Sequence, residues 1–153
     1  MRRQRRNRRR GFTLIEILLV AGILAVLAAF AIPSLMGQAT KAKMDLCRAE
    51  IGRNGPISKA LEAFKWDMGR YPDSDEGLRV LYEKKGSFGD ERFGGPYLEG
   101  SYEELRDPWK NPYEFRSPGD MNEGSYDLWS WGPDSKDDGG KSGSDDIKNW
   151  IEK

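Results

Sequence analysis

From Ile17 to Ile32 sixteen consecutive residues carry no charged or strongly polar side chain, and no charge falls between Glu16 and Lys41. The run is apolar on every side, unlike the single stripe of a surface helix. Leu, Ala, Ile and Val support helix in apolar surroundings. At about 1.5 Å per residue, the stretch 12–36 would reach roughly 37 Å, enough to cross a hydrocarbon core of about 30 Å. The pattern predicts a membrane-spanning helix over 12–36. Beyond it the apolar positions become one-sided. Met44, Cys47 and Ile51 follow at helical spacing, with Lys41, Lys43, Asp45 and Arg48 at other positions. A second stripe, Ile57, Leu61, Phe64 and Met68, repeats the spacing. Pro56 lacks a backbone donor and disfavours helical geometry at Gly55, so a break is expected at Asn54-Gly55-Pro56. Gly69, with Pro72 just beyond, is the expected stop.

The remainder alternates turn formers with aromatics. A short helix is predicted over 76–83, and 84–100 reads as a long loop packed by Phe88, Phe93 and Tyr97. Asp107–Pro112 is a predicted turn. Tyr113–Arg116 and Ser125–Trp131 read as two strands joined through Ser117-Pro118-Gly119-Asp120, one antiparallel hairpin. The expected fold class is α+β: a long N-terminal helix, half apolar and half amphipathic, packed on a small antiparallel sheet.

Charge changes the picture. The chain of 153 residues balances 25 basic against 25 acidic residues, yet seven of the arginines stand in its first ten positions. From residue 11 onward the net charge is −7. Such a body is unsuited to nucleic acid, since neutralising phosphates needs a basic surface. With no histidine and only Cys47, imidazole chemistry and an internal disulfide are excluded. The arginine block before the apolar run places the N-terminus in the cytoplasm by the positive-inside rule. A cleaved signal peptide with an A-x-A site at Ala29-Phe30-Ala31 and a plain signal anchor both fit this much. Neither accounts for Glu16. An ionised carboxylate in hydrocarbon costs about 2.5–3.5 kcal/mol on insertion scales, which makes it a functional candidate.

Gly11-Phe12-Thr13-Leu14-Ile15-Glu16, after a basic leader and before an apolar run, resembles the class III signal of type IV pilins and type II secretion pseudopilins. The resemblance implies cleavage between Gly11 and Phe12 by a prepilin peptidase, and N-methylation of Phe12 by the same enzyme. It also implies that Glu16 neutralises the N-terminal amine of a neighbouring subunit during assembly, and that Pro33 bends the helix. Further segments narrow it. Asp67–Pro72, Glu76-Gly77-Leu78, Asp107–Tyr113, Ser117-Pro118-Gly119 and Tyr126–Asp134 resemble, in order, segments of the major type II secretion pseudopilins. The single cysteine departs from the disulfide-closed C-terminal region usual in type IV pilins. The leader is unusually rich in arginine, and Pro133-Asp134-Ser135 stands where alanine and glycine are usual.

Asp134, Asp137, Asp138, Asp145 and Asp146 lie within thirteen residues that also hold glycines at 139, 140 and 143. An all-oxygen donor set favours a hard cation, calcium ahead of magnesium in a flexible loop. The spacing is not that of an EF-hand. On composition alone a solvated acidic tail is the simpler reading. Trp129, Trp131 and Trp150 flank the loop, however, and would pin its ends. The resemblance implies a structural Ca2+ held by Asp134 and Asp146, with Asp145 assisting. Backbone oxygens near Trp131 and Ser135 are expected to complete the shell. A hydrolase using Asp137 and Asp138 as paired acids lacks the burial and fixed separation that such work requires.

These readings describe a non-enzymatic subunit: a leader over 1–11, an apolar helix over 12–36 and a periplasmic head over 37–153. Many copies would form the periplasmic pseudopilus of a type II secretion system. The alternative is a surface type IV pilus for adhesion, motility or DNA uptake. Implied partners are further copies of the chain, the prepilin peptidase, minor pseudopilins, an inner-membrane platform and a cytoplasmic ATPase. The expected location is the inner membrane, crossed once. Mass spectrometry of the mature protein should find methylated Phe12 as its first residue. Ile32 there would instead restore the ordinary signal peptide.

Overall fold

A computed structural model describes residues 11–151, with the side chains of residues 33 and 34 also outside the description. The arginine-rich leader therefore lies outside the described residues. Helix α1 runs from Leu14 to Ile51 and is unbroken through Pro33 in its backbone. Contacts divide the chain into two units, residues 1–39 and 40–153. In the first, every large apolar side chain from Phe12 to Met36 among the described residues is exposed. The most apolar window of this helix has a mean hydropathy of 2.8.

The second unit starts in the last turns of α1, where Cys47 and Ile51 are buried and Met44 is partly so. The expected break occupies residues 52–55, and α2 spans Pro56–Met68 with the proline in its first turn. Proline costs nothing there, since that amide would have no helical partner. Ser58 Oγ donates to the Ile51 carbonyl at 3.2 Å, tying the start of α2 to the end of α1. At the other end Gly69 adopts φ 77°, a left-handed geometry that needs no Cβ, and its amide closes on Lys65 O.

All four residues of the second stripe are buried. Phe64 is the centre, meeting Phe88, Phe93 and Tyr97 edge-on at centroid distances of 6.0, 6.0 and 5.8 Å. The loop over 84–100 is thus held by the three aromatics expected to pack it. Where a short helix was expected over 76–83, the chain forms a tighter 3-10 helix over Leu78–Tyr82, burying Leu78, Val80 and Leu81. A second 3-10 turn, Tyr102–Glu104, is closed by reciprocal Ser101 and Glu104 capping.

The sheet holds three strands rather than two. β1 (Glu114–Arg116) pairs antiparallel with β2 (Asp127–Ser130), Phe115 opposite Leu128. β3 (Ile147–Lys148) pairs with the other edge of β2, Ser130 opposite Ile147. Only two residues long, β3 has no alternation to reveal it. As the central strand, β2 is buried at all four positions.

Asp107 organises the junction from a buried position. Its carboxylate accepts the Trp109 and Asn111 amides at 2.9 and 2.8 Å and the Ser130 hydroxyl at 2.6 Å. The same Ser130 oxygen receives the Gly132 amide at 3.1 Å, so the turn, β2 and the start of the acidic loop share one polar node. A buried carboxylate is tolerable only when satisfied in this way.

Truncating Phe64 to alanine should cost about 3–5 kcal/mol, because it leaves a cavity among three rings. Trp66, on the same helix but 90% exposed, should tolerate alanine within about 0.5 kcal/mol. Thermal unfolding of the two variants in detergent checks the contrast.

Candidate functional site

Two places collect the candidate residues. At the N-terminal end, Gly11, Phe12 and Thr13 precede α1 and are exposed. The ideal Cβ position of Gly11 has no atom within 4 Å. Glu16, in the first turn, bonds back to Thr13. Its carboxylate accepts the Thr13 amide at 2.8 Å and the Thr13 hydroxyl at 2.9 Å, while its own amide reaches Thr13 Oγ1 at 3.3 Å. This is a reciprocal cap of the T-x-x-E kind, satisfying donors that a helix start leaves unpaired. The signal is present in the sequence as Thr13 three residues before Glu16.

The acidic loop leaves β2 and returns in β3. Trp129 Nε1 donates to Asp137 Oδ1 at 3.0 Å, and the Gly139 amide reaches the same oxygen at 2.8 Å. Trp129 and Trp150 meet edge-on at 6.0 Å. Gly140 lies against Trp150 so closely that a Cβ would strike the indole ring, and its φ of 65° is left-handed as well. Trp129 and Trp150 hold the loop, as their positions in the sequence suggested, whereas the indole nitrogen of Trp131 has no hydrogen-bond partner.

Within this frame Asp138, Asp145 and Asp146 converge, each able to offer one oxygen within 4.8 Å of the others. Asp146 is 7% exposed. Its Oδ2 accepts the Gly140 amide at 2.7 Å, while Oδ1 is buried with no hydrogen-bond partner. Burial pushes its pKa upward, with the Asp138 and Asp137 charges acting in the same sense. The Gly140 amide, and more weakly that of Asp138, oppose this. Asp145 Oδ2 receives the Asp134 amide at 2.9 Å.

Asp134 lies outside the converging group. Its Oδ1 accepts the Lys136 amide at 2.9 Å and its Oδ2 faces Lys136 Nζ at 3.3 Å. Ser135 takes a left-handed φ of 58°, and its hydroxyl accepts Asn111 Nδ2 at 3.0 Å. Trp131 is half-buried beside β2. Asp138, and not the expected Asp134, is therefore the third carboxylate of the converging group. A hard cation suits this donor set. It would give Asp146 Oδ1 the partner it lacks and neutralise three carboxylates held together.

Cys47 is not a candidate for chemistry. It is wholly buried beside Tyr113, and burial raises its thiol pKa, so thiolate is scarce. Tyr113 in turn donates to Glu50. Burial first, then the Glu50 carboxylate, moves that phenol far upward.

Residues 34–150 match the family described as type II secretion system (T2SS), protein G, and residues 6–32 match the prokaryotic N-terminal methylation motif. The chain is 37% identical over 146 residues to the type II secretion system core protein G of Pseudomonas aeruginosa, covering 95% of this chain and 97% of that one. The core protein G of Escherichia coli K12 is 36% identical over 152 residues, with 94% and 92% covered. Among solved structures, the crystal structure of the major pseudopilin from the type 2 secretion system of enterohaemorrhagic Escherichia coli is similar at a TM-score of 0.57. That match has 28% identity and covers 77% of this chain and 95% of the other.

Gly140→Ala should destabilise the head, because the added methyl meets both an occupied site and a left-handed backbone. Overpacking of this kind costs about 1–3 kcal/mol. The expected reading is a melting midpoint lower by several degrees and an altered tryptophan emission, whereas Gly139→Ala, with open space at its Cβ, should shift the emission far less.

Proposed function

Because this chain belongs to the family of type II secretion system protein G, we propose that it polymerises into the periplasmic pseudopilus that drives folded proteins through the outer membrane. The observation that carries this reading is the ordered match over nearly the whole chain, from the methylation motif to Trp150. The exposed apolar stretch of α1 supports it physically. Such a surface has to be covered by something other than its own chain, first lipid and then neighbouring copies.

The proposed sequence of events begins at the leader, residues 1–11. A prepilin peptidase cuts between Gly11 and Phe12, where the absence of a side chain on Gly11 leaves the bond open, and methylates Phe12. The helix over 12–36 holds the subunit in the inner membrane, with the head over 37–153 in the periplasm. Glu16 then pairs with the N-terminal amine of a neighbouring copy. A charge leaving water for an apolar core needs such a partner, since an unpaired one bears a penalty of several kcal/mol. The role is structural and not enzymatic. Minor pseudopilins, an inner-membrane platform and a cytoplasmic ATPase are the remaining partners of the reading.

In the head, the acidic loop holds a calcium ion, with Asp145 and Asp146 among its ligands. Asp134, Trp131 and Ser135 are the residues that family resemblance adds. The ion would neutralise converging carboxylates and fix the loop against β2 and β3. Magnesium suits this site less well, because it dehydrates reluctantly.

Glu16→Leu tests the assembly role. The variant should still enter the membrane, since the change removes a polar cost, yet yield few filaments in shear fractions and little exported protein. Normal filament levels from Glu16→Leu would overturn the pairing role.

A further inference from the structure

We infer that Trp66 of one head docks into the cavity walled by Pro56, Ile57, Tyr82 and Leu105 on a neighbouring copy of this chain. The inference rests on the polymerisation reading and deepens it by naming a contact between heads. Trp66 is 90% exposed near the end of α2. Every other aromatic ring described in the second unit is buried or half-buried. Ala63 and Lys59 precede Trp66 by one and two helical turns on the same exposed face. The indole therefore stands clear of its own helix, with a cation beside it. Tryptophan suits such a position as an interface anchor, because it pairs a large apolar area with a single N–H donor.

The cavity answers both properties. Its volume of about 230 Å³ is below the roughly 300–1,000 Å³ of small-molecule sites, so it suits one large side chain. The four named residues supply apolar walls, while Glu99 and Glu104 line the same cavity from exposed positions. Arg106 lines it too, but its guanidinium donates to the Tyr102 and Leu105 carbonyls at 3.3 and 2.7 Å. The two carboxylates are thus available to an incoming group. An indole entering here sets its ring against the apolar walls and its N–H toward a carboxylate, and Lys59 approaches the acidic rim. Charge complementarity of this kind fixes register and excludes wrong partners more than it adds affinity.

A head cannot fill its own cavity. Pro56 and Ile57 open α2, whereas Trp66 lies near its other end, roughly 14 Å along the axis from Ile57. The two surfaces differ, so each copy gives one Trp66 and receives another. A head-to-tail contact of this type extends into an open filament whenever the rotation between copies does not close a ring.

The test uses the full chain in cells that assemble the filament. A photoreactive benzophenone side chain replaces Trp66 in a minor fraction of copies among parental ones. Illumination should join one copy to another, and peptide mapping should place the new bond on Tyr82 or residues 99–106. Bonds to other parts of the chain, to lipid or to a different protein overturn the inference, as does an absence of joining in filaments that form normally. Trp66→Ala should lower the filament yield in shear fractions roughly tenfold, the scale of a lost aromatic anchor, with the melting midpoint of the head in detergent unchanged. Parental filament levels from Trp66→Ala overturn the inference. A midpoint several degrees lower does so as well, since Trp66 would then be a folding residue. A parent that forms no filaments overturns polymerisation itself, a result distinct from normal filaments in which position 66 joins nothing.

Discussion

The dominant constraint on this molecule is an apolar surface that its own fold leaves uncovered. From Phe12 to Met36, large side chains point outward on all sides of α1. Apolar area gains about 25 cal/mol per Å² when removed from water, so this surface strongly favours any apolar environment. Among the described residues nothing covers it, so lipid or other copies of the chain are the natural cover. Glu16 is the one charge within this stretch, and its capping bonds to Thr13 give the carboxylate local donors at the helix start. Those bonds also offset part of the cost of an unpaired first turn.

The head obeys ordinary rules of burial in water. Its core is centred on one residue, Phe64, around which a loop with little regular structure is pinned by three other rings. Aromatic pairs of this kind contribute beyond their area, about 0.5–1.5 kcal/mol each. The polar counterpart is Asp107, which joins the turn before β1 to β2 and, through Ser130, to the acidic loop. Hydrophobic packing positions the sheet, and this buried carboxylate fixes how the loop departs from it.

The acidic loop opposes both. It brings Asp138, Asp145 and Asp146 together although like charges repel, and it buries Asp146 with one oxygen unsatisfied. The surrounding structure holds this arrangement: Trp150 against Gly140, Trp129 on Asp137, and the pairing of β2 with β3. A loop tied so firmly at both ends cannot relieve its charge by spreading. A bound cation would neutralise these charges where they stand.

The sequence alone determined whatever local periodicity or turn chemistry encodes. The apolar run, the break before Pro56, the stop at Gly69 and the buried face of α2 follow from spacing and from the backbone limits of proline and glycine. The family was legible for a similar reason, since its marks are short contiguous motifs. Tertiary structure decided what depends on contacts between distant residues. β3 is too short to carry a period and exists because β2 offers it an edge, and the stretch over 76–83 tightened into a 3-10 helix as Leu78, Val80 and Leu81 turned into the core. Which of the five aspartates converge was decided in the same way. Composition placed them in one loop, but Lys136 occupies Asp134 while the packing of Trp129 and Trp150 brings Asp138 beside Asp145 and Asp146. Convergence in space is set by the packing of the whole head, and no spacing along the chain specifies it.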